Sequence, residues 1–170
     1  MDVSGRGPTL SHTVRTAIVA TLALRRGGEM TFHVLGDMNW LAAIVGGIAY
    51  FALGAVWFMP ATFGKAWQRA MGWEMPTGGG PGPALYIGPL ITCLVAAVAV
   101  GMLAQATGSD TVGEGIVLGL VTGVGIAGAV LFVTGVFDPK KPEPMTWFGI
   151  TAGYHLVGLV IASVVVSLWN

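Results

Sequence analysis

Residues 115–137 read GIVLGLVTGVGIAGAVLFVTGVF, with no Asp, Glu, Lys or Arg between Gly115 and Phe137. A helix needs about 20 apolar residues to cross a hydrocarbon core roughly 30 Å thick, and this run supplies them. Three further stretches are equally free of charge: residues 38–64, 75–109 and 144–170. The spans are predicted at Asn39–Met59, Ala84–Ala106, Val112–Phe137 and Thr146–Trp169. Each is too long and continuous for a strand of a soluble sheet, and none alternates as a strand of an outer-membrane barrel would. The fold class read from these runs is an all-α membrane protein, a bundle of four transmembrane helices.

Composition agrees. Of 170 residues 54% are hydrophobic and 9% charged, and the mean hydropathy is +0.77. A soluble domain carries about 25% charged residues to wet its surface. So few charges point to the lipid bilayer as the main solvent. A net charge of zero without any basic run gives no footprint for nucleic acid. The single cysteine, Cys93, falls within the second span, so there is no disulfide framework and no cysteine-based metal site.

The few charges also orient the chain. Beyond residue 38 the cations are Lys65 and Arg69 in the first loop, and Lys140 and Lys141 in the third. The second loop holds Asp110 and Glu114. The positive-inside rule makes the first and third loops cytoplasmic and leaves both termini outside. Tryptophans follow the span ends, with Trp40 and Trp169 at the outer interface and Trp57, Trp67, Trp73 and Trp147 at the inner one, beside Tyr86. The expected location is a bacterial cytoplasmic membrane.

Residues 1–37 do not fit. They carry Arg6, Arg15, Arg25 and Arg26, and their apolar run, Thr16–Leu24, is too short to span and poor as a signal peptide. Two readings remain: a disordered tail, or upstream sequence translated in error with Met38 or Met30 as the true start. The second is favoured because Met38-Asn39-Trp40 opens the first span directly. Residues 38–170 are then a single transmembrane domain.

After the first span, Phe63, Trp67, Ala70 and Met71 share one helical face, while Lys65, Gln68 and Arg69 lie elsewhere. Pro60 suits a first helical turn. The stretch predicts a short amphipathic helix in the cytoplasmic interface. A flexible breaker, Gly78–Pro83, follows. Gly115, Gly119 and Gly123 recur every four residues, as do Gly149 and Gly153, and such faces let helix backbones approach closely in lipid. Four spans cannot use every small face internally, so a homo-oligomer, a dimer for example, is expected.

Candidate chemistry is sparse. Gly123-Val124-Gly125-Ile126-Ala127-Gly128 spells GxGxxG, but inside a span it reads as a packing face, since the dinucleotide motif needs a strand-to-helix turn. Asp110 and Glu114 resemble paired carboxylates, yet Thr111-Val112-Gly113-Glu114 has the spacing of a capping box. His155 stands out. It lies nine positions past Thr146, roughly 13 Å along the helix and near the membrane centre. There it is a candidate proton relay or polar ligand contact. The structural alternative is a neutral histidine bonded across helices to Tyr50, Thr122, Thr134 or a backbone carbonyl. The interiors of the spans hold no Asp, Glu, Lys or Arg to partner it. There is no HExxH, no intramembrane aspartate pair and no convincing Ser–His dyad, and one Cys with one buried His cannot build a metal site. An enzyme is not expected, nor a cofactor or metal.

Three stretches carry a resemblance. They are Asn39-Trp40-Leu41-Ala42; Trp57-Phe58-Met59-Pro60 with Phe63-Gly64-Lys65-Ala66-Trp67; and Ala152-Gly153-Tyr154-His155-Leu156. Together they resemble DUF1761, a bacterial domain-of-unknown-function family of small four-span integral membrane proteins, over residues 38–170. The resemblance implies the fold and the membrane location and supplies no activity. The expected role is therefore structural or accessory, with partner proteins unspecified. The alternative is a small transporter or channel whose polar path passes Tyr50, Tyr154 and His155. Transport predicts that these side chains converge on a cavity. A structural role predicts that each is held in a closed hydrogen bond.

Overall fold

The computed structural model describes residues 11–16, 31–73 and 82–169. Residues 1–10 and 17–30, with most of the prefix and its two readings, lie outside the described residues, as does most of the breaker at 78–83.

Among the described residues every regular element is helical. A helical turn, Val34–Asp37, precedes α1 (Trp40–Trp57). Then come α2 (Gly64–Met71), α3 (Ala84–Thr107), α4 (Val112–Val136) and α5 (Pro144–Leu168). α1, α3, α4 and α5 are long and apolar enough to cross a membrane, which makes this an all-α, four-helix membrane protein. Their ends fall within about two residues of the spans read from hydropathy, because the polar residues that stop a span also cap its helix. Asn39 caps α1, its side chain accepting from Ala42 N–H at 3.1 Å. Thr111 and Glu114 form a complete capping box at the start of α4.

The short helix differs from expectation in two ways. It begins at Gly64 rather than Pro60, because residues 58–63 make a tight turn instead. The Thr62 hydroxyl closes that turn, lying 2.7 Å from the carbonyls of both Val56 and Trp57 at the end of α1. Its buried face is also narrower than the pattern suggested. Ala70 is buried and Trp67 half-buried, but Phe63 and Met71 are exposed.

α5 is the centre of the molecule and packs against all four other helices. α1, α3 and α5 form a triangle whose core holds Ala42, Ala43, Cys93, Ala97, Val100, Ala104, Leu159 and Ala162. Small residues allow it. A methyl added at Gly47 would lie 3.0 Å from Leu94 Cα, and one at Gly46 would lie 3.3 Å from the Ala162 carbonyl. α4 stands outside this triangle. It runs along α5 and meets α3 through Val112–Leu120. Gly115, Gly119 and Gly123 line that seam against Val164, Val160 and Leu156, so the four-residue spacing is a helix contact within one chain.

The middle of α4, Val121–Gly128, is π-helical and contains the GxGxxG stretch. The Thr122 hydroxyl donates to the Leu118 carbonyl at 2.8 Å, a competition with the backbone ladder that tends to bend helices. As a packing face this stretch is smaller than its glycines suggest. Gly123 meets Leu156, whereas a methyl at Gly125 would touch nothing.

Both ends of the bundle are tied. At one end Asn39 Nδ2 donates to the Trp169 carbonyl at 3.0 Å, joining the start of α1 to the end of α5. At the other, the α4–α5 loop docks on α2. Glu143 N–H donates to the Ala70 carbonyl at 3.3 Å, and Arg69 Nε pairs with Glu143 Oε1 at 3.2 Å. Gly72, whose φ of 69° favours glycine, ends α2 against Pro142. The first and third loops thus share one end of the molecule.

Candidate functional site

Tyr50, Tyr154 and His155, which the sequence singled out, meet between α1 and α5, where Cys93 of α3 joins them. Tyr50 lies ten residues into α1 and His155 eleven into α5. At 1.5 Å per residue each is about 15 Å from the N-terminal end of its helix, half the thickness of a hydrocarbon core of roughly 30 Å. Two glycines make room for the rings. A Cβ at Gly158 would run into the Tyr50 ring, and one at Gly54 would lie 2.9 Å from the Tyr154 hydroxyl. Without those glycines two tyrosines could not enter the same layer between helices.

The rings pack as a set. Tyr50 and Tyr154 have centroids 5.2 Å apart, Tyr154 and His155 4.9 Å, and Phe58 and Tyr154 5.1 Å, all within the range of favourable aromatic pairs. Tyr50 is 2% exposed and Tyr154 7%, while His155 is half-buried. The polar heads point at one another. The Tyr50 hydroxyl and His155 Nδ1 share a hydrogen bond, joining α1 to α5. The Tyr154 hydroxyl lies 3.4 Å from Cys93 Sγ on α3 and 3.5 Å from the Tyr50 carbonyl on α1. Phenol, imidazole, phenol and thiol can all satisfy one another uncharged, as a low-dielectric site requires.

Of the four partners that the sequence offered His155, the structure joins Tyr50. Thr122 and Thr134 turn back to carbonyls of their own helix, Leu118 and Val130, at 2.8 Å each. Cys93 was missed as a member of the cluster. Its signal was weak, since a small apolar thiol in a span reads as core. Also unforeseen were two polar ties at the α2 end. Trp57 Nε1 donates to the Ile150 carbonyl at 3.1 Å, and Trp67 Nε1 to Thr151 Oγ1 at 3.2 Å. They hold the end of α1, and α2, against the first turns of α5. Ser163 and Ser167, further along α5, are buried with no hydrogen-bond partner for either hydroxyl.

Among the described residues no three His, Cys, Asp or Glu side chains come together as metal ligands would. Chemically the cluster offers hydrogen-bond donors and acceptors and one imidazole, with no carboxylate or ammonium beside them.

The chain matches the family described as Protein of unknown function (DUF1761) over residues 41–167, and it belongs to that family. No curated protein and no solved structure matches the chain.

Proposed function

We propose that this DUF1761 member is a multi-pass protein of the cytoplasmic membrane with a structural or accessory role and no enzymatic activity. In this reading the Tyr50–His155–Tyr154–Cys93 cluster is a lock between helices. The observation that carries it is that the Tyr50 hydroxyl, His155 Nδ1, the Tyr154 hydroxyl and Cys93 Sγ each meet a polar atom of a neighbouring helix. Such bonds in lipid contribute about 0.6 kcal/mol on average and up to about 1.7. They stabilise the particular rotation of each helix about its axis, since a slip would strand a polar group in hydrocarbon. The membrane orientation follows from charge: Lys65, Arg69, Lys140 and Lys141 belong to the two loops that meet at one end, which the positive-inside rule makes cytoplasmic.

Flux in proteoliposomes tests this, using protons and a panel of small solutes, with His155→Ala beside the wild type. The expected result is no flux above empty liposomes from either protein. The substitution should also lower stability in detergent by about 1–3 kcal/mol, because it leaves the Tyr50 hydroxyl buried and unpaired. Flux in the wild type that the substitution abolishes would instead establish a transporter with His155 on its path.

One observation favours that second reading. From Ala84 to Thr92 α3 stands clear of the bundle, with Leu85, Tyr86, Ile87 and Ile91 all exposed, and it joins the core at Cys93. The polar cluster therefore sits where α3 begins to pack, not in the middle of a uniformly closed bundle.

A further inference from the structure

α4 carries a face that an α-helix cannot hold in one direction. Gly115, Gly119, Gly123, Ala127, Leu131 and Gly135 recur every four residues, and each is buried or half-buried. Between them Val124, Gly125, Ile126, Val130 and Val133 are exposed. The first three glycines meet Val164, Val160 and Leu156 of α5, and a methyl at Gly135 would run into the Trp147 ring. In an α-helix a four-residue repeat drifts about 40° per step, about 200° from Gly115 to Gly135. A π turn holds one extra residue, and the π-helical middle, Val121–Gly128, takes back about 100° of that drift. This is what keeps Ala127, Leu131 and Gly135 toward α5.

An extra residue inside a helix can also sit elsewhere along it. If it moves to the end of α4, Val112–Leu120 stays on its glycine seam while Ala129–Val136 turns by one position. Val130 then takes the place of Leu131, and Thr134 that of Gly135. Two groups idle in the first register meet in the second. Trp147 Nε1 is buried with no hydrogen-bond partner. Thr134 is exposed, its hydroxyl turned onto the Val130 carbonyl of its own helix at 2.8 Å. The indole ring must swing to admit Thr134, and no hydrogen bond holds it where it is.

We infer that α4 is a two-register helix, with Gly135 under Trp147 in one register and Thr134 accepting from Trp147 Nε1 in the other. Conversion in the middle of α4 is thereby passed to the α4–α5 loop, because Lys141 Nζ lies 4.6 Å from the centroid of the Trp147 ring. The device makes no use of the Tyr50–His155 cluster and is independent of whether the chain transports a solute.

NMR of the full-length protein with ¹⁵N-labelled tryptophan, in detergent micelles, tests this at each indole N–H. Helix register shifts run on the μs–ms scale. The Trp147 resonance, identified by its loss in Trp147→Phe, should therefore show relaxation dispersion with a minor state of about 1–10%. Trp57, whose Nε1 already donates to the Ile150 carbonyl, should show none. Gly135→Ala crowds the ring in the first register and should enlarge the minor state about threefold or more. Thr134→Val, at an exposed position, should abolish the dispersion. Deletion of Gly125 should do the same, since it removes the extra residue and leaves both faces of α4 in place. A single Trp147 resonance without dispersion in the wild type would overturn the inference, as would dispersion that Thr134→Val leaves unchanged.

Discussion

α4 and α5 are neighbouring helices of the same length, 25 residues, yet they live in different surroundings. In the most apolar window of α5, 39% of the residues are buried within the protein, against 17% for α4. The more hydropathic helix is the more peripheral one. In water the reverse would hold, because burial there rewards apolar surface. In lipid the tails are as apolar as Leu, so packing selects small and polar side chains instead. α5 carries Thr151, Tyr154, His155, Gly158, Ser163 and Ser167 toward its neighbours. α4 turns Val117, Val121, Val124, Val130 and Val133 outward and sets Gly115, Gly119, Gly123 and Gly135 against α5.

The largest effect should come from α5 itself. Gly158→Val puts a branched side chain where the Tyr50 ring lies and forces α1 away from α5. A loss of about 3 kcal/mol is expected, at the upper end for overpacked cores, read as the unfolding midpoint in detergent. A loss below about 1 kcal/mol would mean that α1 and α5 are more loosely joined than the ring contact implies. Tyr50→Phe is gentler. It keeps the ring and removes the hydroxyl, so the expected cost is about 1 kcal/mol. Combined with His155→Ala it should add less than the sum of the two single changes, because both delete the same bond. Additive losses would show that the two side chains act separately.

The sequence made the four spans legible because a charge-free run of that length has one stable environment. Capping chemistry made one end legible too: Thr111 and Glu114 do locally what their spacing announces, whereas the Asn39 cap of α1 emerges only in the structure. The rank of the helices was not legible, since hydropathy measures affinity for lipid and says nothing of which neighbour a helix meets. Tyr50, Tyr154 and His155 could be named from type and depth. Their meeting point could not, because it depends on Gly54 and Gly158, two glycines among 27 with no distinguishing mark. Pro60 misled for a related reason. Its ring permits a helix start, but the carbonyls at the end of α1 are taken by Thr62, and that bond delays the next helix to Gly64.

The loop that joins the two helices adds a smaller, pH-dependent effect. Asp138 is held below the usual carboxylate range, chiefly by the hydrogen bond from Lys141 Nζ at 2.6 Å and then by the Lys140 N–H. A lowered folded value means that this contribution is complete above the unfolded value of about 3.9 and fades as pH falls through the folded one. Between about pH 7 and 5 the loop should not change. Below about pH 4 Lys141 should loosen from Asp138 and from the Trp147 ring, whose centroid lies 4.6 Å from its Nζ. Tryptophan fluorescence would report that step, and Asp138→Asn should remove it. A step centred near pH 6 would place the titrating group elsewhere.

The smallest expected effect bears hardest on the comparison. Gly125→Leu enlarges α4 in its π-helical middle, at a position where a methyl would meet nothing. If α4 faces lipid there, the change is one apolar surface for another, and stability should hold within about 0.5 kcal/mol. A homo-oligomer that packs copies through this face would respond differently. A close helix approach at Gly125 has no room for Leu, so the oligomer would dissociate while each protomer kept its fold. Cross-linking in native membranes beside detergent unfolding separates these outcomes. Unchanged cross-links and unchanged stability leave α4 as the lipid-facing helix. Lost cross-links at unchanged stability would make its exposed face the contact between copies, and the low burial of α4 would then be a property of the single chain alone.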